Sequence, residues 1–357
     1  MVQRLRVGSS RPAGRMGLDA NSLRLCVDAP MVRESRRVTS SSNPQDQLAA
    51  ALGAELGSNE ITGLARLSGG ASRETWGFAA DGRKLILQRQ RAGDVRDMGV
   101  EARVVKAAFD AGVPVPELVA SGSGDIGTAF MILSHVEGET IARKILRDEQ
   151  FAEARTHLVV QSARALAALH SVEASTITGL PSVDQVQQYR ETLDHLDETL
   201  GQAHPAFELA FRWLERNRPS SSGSALVHGD FRLGNLMVGP GGLRAVLDWE
   251  LAHIGDPIED LGWLCVRAWR FGSSLPVAGV GDYETLISAY EQASGTKVDR
   301  EAVRWWEVLG TLKWGIMCMI QTSSHLLGTT RSHELAAIGR RVCENEYDLF
   351  LALDGKW

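Results

Sequence analysis

From residue 43 the polar and apolar positions fall into distinct rhythms. The run NPQDQLAAALGAELG repeats its apolar residues at helical spacing and predicts a short amphipathic helix. In ITGLARLSGGASRETWGFAADGRKLILQRQ the rhythm changes. Three apolar runs are separated by a Gly/Ser turn and by Asp81-Gly82, and Asp-Gly between apolar runs is a strong hairpin signal. Three antiparallel strands are expected there. MGVEARVVKAAFDAG returns to helical spacing, with Val100, Val104, Ala107 and Ala108 on one face and a stop at Gly112. ELVASG and AFMILSHV read as two further strands. After Gly138 the helical rhythm dominates, in EARTHLVVQSARALAALHSV, VDQVQQYRETLDHLDETL and PAFELAFRWLERN. Short strands at SALVHGD, NLMVG and AVLDWE interrupt it before helices resume. The expected class is α+β. A small five-stranded antiparallel lobe at 46–136 precedes a large, mainly helical lobe at 137–357, with a ligand in the crevice between them.

Residues 1–45 carry no sustained rhythm and are rich in Arg and Ser, so a disordered tail is expected. Such a composition also suits an organelle transit peptide, but Asp19, Asp28 and Glu34 break that pattern. A start codon placed too far upstream, with Met31 as the true start, is the preferred expectation. The chain of 357 residues has 44% apolar and 23% charged residues, as expected of a globular enzyme. A net charge of −6 argues against a nucleic-acid partner, since phosphate contacts need a basic face. The most apolar stretch, around TLKWGIMCMI, is short and broken by Lys313, so no membrane span is expected. Cys26, Cys265, Cys318 and Cys343 are widely spaced, which argues against a zinc or disulfide framework and for a reducing, cytoplasmic setting.

Candidate chemistry concentrates in LVHGDFRLGNLMV and AVLDWE. Asp230, Asn235 and Asp248 are hard oxygen donors placed beside short strands, and Mg²⁺ takes such ligands, a couple from protein and the rest from phosphates and water. The plain alternative makes them turn formers. An Asp, an Asn five residues later and a downstream Asp form the spacing of the protein-kinase catalytic loop and its metal-binding Asp.

HGDFRLGN and LDWE resemble the aminoglycoside phosphotransferase and choline kinase-like family, and the likeness extends over nearly all of the chain after residue 45. That resemblance implies a bilobal protein kinase-like fold and ATP- and Mg²⁺-dependent phosphorylation of a small-molecule hydroxyl. By position it makes Asp230 the base, Asn235 and Asp248 metal ligands, and Glu250 a support for the metal shell. His228 would orient the loop, and Asp260 would buttress it. In GDPIEDLGWL, Asp256, Pro257 and Glu259 suffice as a helix start. Within LSGGASRETW, the resemblance makes Gly69, Gly70 and Ser72 a phosphate-facing loop, with Thr75 a further hydroxyl; Gly-Gly also makes an ordinary turn. In LILQRQR the family's cation falls at Gln88, a neutral amide, while strand alternation points Arg89 to the opposite face; a bulge or local slip would exchange the two, so both are kept as cofactor-binding candidates. Glu101 matches the helix-borne Glu that pairs with this cation; otherwise it is an exposed first-turn Glu. FMILSHVEGE resembles the strand into the hinge, with Ser134, His135 and Val136 along an adenine edge.

Trp305, Trp306, Trp314, Met317 and Met319 are expected in the core, and His170 at a helix end. SGGAS, VPVPEL, GDPIEDL and WEVLGTLKW resemble the phosphotransferase domains also found fused to acyl-CoA dehydrogenases, which points to a hydroxyacyl-CoA-type acceptor. Charges nearly balance from Val298 to Trp357, which does not favour a polycationic drug. A degenerate nucleotide-binding regulator and an aminoglycoside-modifying kinase remain as alternatives.

Overall fold

The computed structural model describes residues 43–67, 73–91 and 97–356. Nearly all of the expected tail, and Gly69, Gly70 and Ser72, lie outside those residues.

Helix α1, Pro44–Leu56, starts where the Asn43 side chain accepts the Gln45 amide, and ends at Gly57 with φ 60°. Strands β1 (Ile61–Arg66), β2 (Arg73–Ala80), β3 (Arg83–Gln90), β4 (Leu118–Gly124) and β5 (Gly127–Ser134) form one sheet in the order β1-β2-β3-β5-β4. Every neighbouring pair is antiparallel. The β2–β3 turn has Asp81 at φ 46° and Gly82 at φ 82°, the left-handed pair that a two-residue hairpin requires.

Strand alternation gives this sheet two faces. On one, Phe78, Leu85, Leu87, Phe130 and Ile132 pack with Leu48 and Leu52 of α1. On the other, Met131 meets Met98 and Ala102 of α2, Met98–Asp110. Helix α2 buries more than the single stripe read from sequence. Val104, Val105 and Ala108 belong to the core of the large lobe, so α2 is covered by the sheet and by the large lobe together. That double cover buries Glu101, only 6% exposed, where an open first-turn residue was the plain expectation.

The large lobe contains α3 (Ala142–Arg147), α4 (Ala152–His170), α5 (Gln185–Leu200), α6 (Pro205–Arg216), α7 (Ile258–Cys265), α8 (Tyr283–Ser294), α9 (Arg300–Leu326), α10 (His333–Gly339) and α11 (Arg341–Leu353). Among the described residues its core has three parts. One surrounds α4 and α8, a second joins α5, α6, α9 and α11, and a smaller third gathers Trp263, Val266, Trp269, Trp314 and Cys318. Phe207, Phe211 and Leu214 of α6 are fully buried, each contributing roughly 1.5–3 kcal/mol by its removal from water. Trp305 is core, as expected, and its indole donates to Leu214 O at 2.9 Å.

Two short ribbons carry the candidate motifs. β6 (Ala225–Val227) pairs with β9 (His253–Gly255), and β7 (Leu236–Gly239) pairs with β8 (Gly242–Val246). Three residues of β9 were too few for the sequence rhythm to show. The β7–β8 ribbon also joins the lobes, since Val246 N donates to Pro114 O at 2.7 Å; just past the junction, Glu139 and Val238 exchange main-chain bonds of 2.9 Å.

Candidate active site

Asp230 follows β6 after a tight turn. Gly229 makes that turn possible: its φ is 78°, and a Cβ there would stand 2.5 Å from Leu251 O. The turn is then held from several sides. Fully buried Asp260 of α7 accepts His228 N at 2.8 Å and Gly229 N at 3.0 Å. Burial opposes charge on Asp260, but the His170 hydrogen bond at 3.2 Å and the two amides hold its carboxyl below the usual range. From α9, Lys313 Nζ donates to Gly229 O at 2.8 Å and stands 3.4 Å from Glu259. Glu259 therefore lies inside the lobe, bonded also to His253 at 3.0 Å, and does not serve as the surface half of a capping box.

His228 is a strut with both ends occupied. Its Nδ1 accepts Asp230 N at 3.1 Å, which leaves Nε2 to donate to Leu247 O at 3.1 Å. Burial holds its pKa below the ordinary histidine value, so the ring is neutral and spans from the turn to the chain just before Asp248. Asn235 makes a second link to that chain: its carbonyl accepts Leu247 N at 2.9 Å. Its Nδ2 donates to Asp230 Oδ2 at 2.6 Å and to Asp230 O at 3.0 Å. Asp230 Oδ1 accepts Arg232 Nε at 3.0 Å and Trp263 Nε1 at 2.9 Å. The structure thus joins residues 230, 235 and 247 in one bonded cluster, with Asp248 as the next residue.

Asp248 stands two residues beyond β8, in a left-handed conformation with φ 67°. Few residues tolerate that region as well as Asp. Its surface opens into the cleft, yet the surrounding walls are dense. This desolvation, with the charges of Glu250 and Asp230 and against the pull of Arg73, raises its carboxyl to about 7. A cation would relieve that repulsion. Among the described residues no three His, Cys, Asp or Glu side chains gather closely enough to hold a metal alone. Asn235, Asp248 and Glu250 instead offer a small oxygen set of the kind Mg²⁺ shares with phosphates.

The small lobe forms the facing wall. Gln88 of β3 is half-buried, paired across the ladder with Thr75 and Met131. Arg89 turns to the other face, where it binds Glu74 at 2.6 Å, donates to Ile126 O at 3.2 Å and lies over Trp76. Glu101 is paired with Arg73 of β2, through Nη1 at 2.5 Å and also through Nη2. Arg73 Nη2 lies 3.6 Å from Glu250. At the lobe junction Ser134 N donates to Glu117 O and its Oγ accepts Glu117 N, both at 2.9 Å. His135 N continues the ladder to Lys84 O at 3.2 Å, and the chain leaves the sheet at Val136.

Four contributors were not read from sequence: Arg73, Arg232, Trp263 and Lys313. Arg232 had a signal, since it falls inside HGDFRLGN two residues after the Asp. Lys313 had one too, as the charge interrupting an apolar helical run. Nothing local marked Trp263, whose indole reaches Asp230 from α7. Two surface hollows, about 510 Å³ beside α1 and about 550 Å³ between α3, α4 and residues 271–280, contain none of these groups.

Residues 63–306 match the model of the phosphotransferase enzyme family. Acyl-CoA dehydrogenase family member 11 of Gallus gallus is 29% identical over 314 residues, covering 79% of this chain and 40% of its own length. The chain thus spans about two-fifths of that relative. A solved structure from Ralstonia eutropha JMP134, described as a candidate aminoglycoside phosphotransferase, superposes with a TM-score of 0.69 at 21% identity, covering 87% of this chain and 98% of the other. Spectinomycin phosphotransferase in complex with ADP and spectinomycin gives 0.62 at 14% identity, over 86% of this chain and 98% of the other. The architecture, a five-stranded antiparallel lobe and a mainly helical lobe, is that of the protein kinase-like fold.

Proposed function

The chain belongs to the phosphotransferase enzyme family, and from that premise we propose that it is an ATP- and Mg²⁺-dependent kinase of a small-molecule hydroxyl. The observation that carries this reading is the bonded cluster of Asp230, Asn235 and the chain before Asp248, facing a cation-bearing wall of the small lobe. A carboxylate has roughly four lone-pair sites. Arg232, Trp263 and Asn235 occupy three on Asp230, leaving one for an acceptor hydroxyl.

In the proposed reaction the acceptor oxygen attacks the γ-phosphorus in line, the bond to the β-phosphate oxygen breaks, and the hydroxyl proton passes to Asp230. The three donors fix the direction of the carboxylate before substrate arrives, which is positioning rather than new chemistry. Asn235 and Asp248, with Glu250 beside them, would hold the divalent cation, which neutralises polyphosphate charge when bound. Arg232 lies beside the base, placed to meet charge that develops on the transferring group. The ADP complex of spectinomycin phosphotransferase supports a nucleotide in the corresponding cleft. Gly69, Gly70, Ser72 and the 134–136 edge remain the proposed nucleotide contacts.

For the acceptor we infer a hydroxyl-bearing acyl thioester, an inference supported by the relative's placement among acyl-CoA dehydrogenases. Among the described residues Cys265, Cys318 and Cys343 are free thiols, in keeping with the cytoplasmic setting proposed from the cysteine spacing, and no helix is long and apolar enough to cross a membrane. Gln88 favours a second reading, a nucleotide binder without turnover. The deciding experiment is Mg²⁺-dependent ATP consumption across hydroxyacyl thioesters, other hydroxylated metabolites and aminoglycosides. Turnover with one acceptor class, lost in Asp230→Ala, is the expected result; nucleotide binding with no turnover on any acceptor favours the second reading.

A further inference from the structure

The β3 position that should carry a phosphate-binding cation holds Gln88, and Arg89 beside it is committed to Glu74 on the opposite face. Glu101 has nevertheless found a guanidinium. Register explains how. Arg73 lies opposite Gln90 and Thr75 opposite Gln88, so Arg73, Thr75, Gln88 and Gln90 all point to one face of the sheet. Arg73 and Gln88 are diagonal neighbours across β2 and β3, a separation of roughly 7–8 Å that a long side chain spans. An arginine on β2 therefore delivers charge into the region that a cation on β3 at residue 88 would serve.

We propose that Arg73 is the phosphate-binding cation of the small lobe, supplied by β2 in place of the neutral residue on β3. The proposal rests on the phosphotransferase reading above. Three features of the geometry support it. Arg73 is held by Glu101, a carboxylate on a helix that is itself fixed between sheet and large lobe. Its Nη2 edge faces Glu250 at 3.6 Å, and it feels the charge of Asp248, so it stands beside the side chains that would hold metal and polyphosphate. A guanidinium also has five N–H donors. Glu101 takes one from each terminal nitrogen, and Nε has no hydrogen-bond partner among the described residues. A fork with donors to spare, only 7% exposed, suits phosphate oxygens better than it suits a purely structural pair. A buried ion pair by itself adds little stability, because desolvation offsets much of its attraction.

The test is calorimetric binding of ATP, ADP and adenosine, with Mg²⁺, to the full chain. In Arg73→Met, the dissociation constants for ATP and ADP should rise about tenfold to a hundredfold, the value of a charged hydrogen-bond pair, while adenosine stays within about twofold. Arg73→Lys should fall between wild type and Arg73→Met. Because Arg73→Met takes the guanidinium away from a buried carboxylate, the double variant Arg73→Met/Glu101→Met removes both charges and should show the same phosphate-specific loss in a folded protein. Adding Gln88→Arg to Arg73→Met should restore phosphate affinity, since it returns a cation to the same face beside Glu101. ATP affinity within about twofold of wild type in a folded Arg73→Met or double variant overturns the proposal, as does an equal loss for adenosine and ATP. A wild type that binds ATP no better than adenosine overturns the kinase reading together with it.

Discussion

Asp230 and Arg73 face the same cleft from opposite lobes, and they are held in contrasting ways. Asp230 sits in a turn that α4, α7 and α9 fix through His170, Asp260 and Lys313, and its carboxylate accepts three donors. Arg73 stands at the first position of a strand and is fixed mainly by one carboxylate on one helix. The large lobe builds its half of the site by redundancy, and the small lobe chiefly by the Arg73–Glu101 pair, with Glu250 at 3.6 Å as a longer second contact. Removing a support from the first should cost stability or chemistry. Removing one from the second should cost nucleotide affinity.

The largest effect is expected at the base. Asp230→Ala should lower kcat by about 10²–10⁴-fold, the range for a positioned general base, with ATP affinity changed only a few fold. Steady-state kinetics beside direct ATP titration separates the two; a parallel loss of both would erase the contrast with Arg73. Next comes the support beneath the turn. Lys313→Met leaves Gly229 O and the buried Glu259 without their cation, and should destabilise the fold by about 3–5 kcal/mol in chemical denaturation. A change below about 1 kcal/mol would mean the turn does not depend on α9.

A smaller, pH-dependent effect follows from His228. Burial lowers its folded pKa beneath the unfolded value near 6.5, so in that window the unfolded chain binds more protons. Stability contributed by the neutral strut is therefore complete at higher pH. It should fall as pH drops below about 6.5, by up to about 1.4 kcal/mol per unit. Denaturation of wild type and His228→Gln from pH 7.5 to 5 isolates this component: the gap between them should narrow on acidification, and a constant gap would show that the imidazole does not titrate on unfolding. The smallest effect is expected at Arg89. Its pair with Glu74 is half-exposed and on the far face of the sheet. Arg89→Ala should change stability by only about 0–1 kcal/mol and leave ATP affinity unaltered, in contrast to Arg73→Met.

The same contrast governs what the sequence discloses. Helix α1, the hairpin at Asp81-Gly82, the five-stranded lobe and the helices of the large lobe follow from rhythm and turn chemistry, because each is set by residues close in the chain. HGDFRLGN is legible for the same reason: Asp230 and Asn235 are five residues apart, and the Asn235 amide bonds directly to the Asp230 carbonyl and carboxylate. Counting along β3 leads to Gln88 and stops there. The cation that meets Glu101 comes from another strand, through a diagonal that depends on ladder register and side-chain length. Burial of Glu101 was hidden too, since a helical wheel shows one apolar stripe but not that α2 is covered on two sides. Trp263 and Lys313 reach the turn from helices 33 and 84 residues away in sequence, distances at which no local pattern speaks.

One measurement bears most directly on the claim that oxygen donors from the turn and the strand end meet a cation and polyphosphate in this cleft. ATP is titrated into wild type, Asn235→Ala and Asp248→Ala, each with Mg²⁺ and with chelator. The account predicts that Mg²⁺ tightens ATP binding to wild type by at least about tenfold, and that either substitution removes most of this gain while the metal-free affinity is retained or improved. Equal ATP affinity with and without Mg²⁺ in wild type, or an undiminished Mg²⁺ gain in both variants, would contradict it.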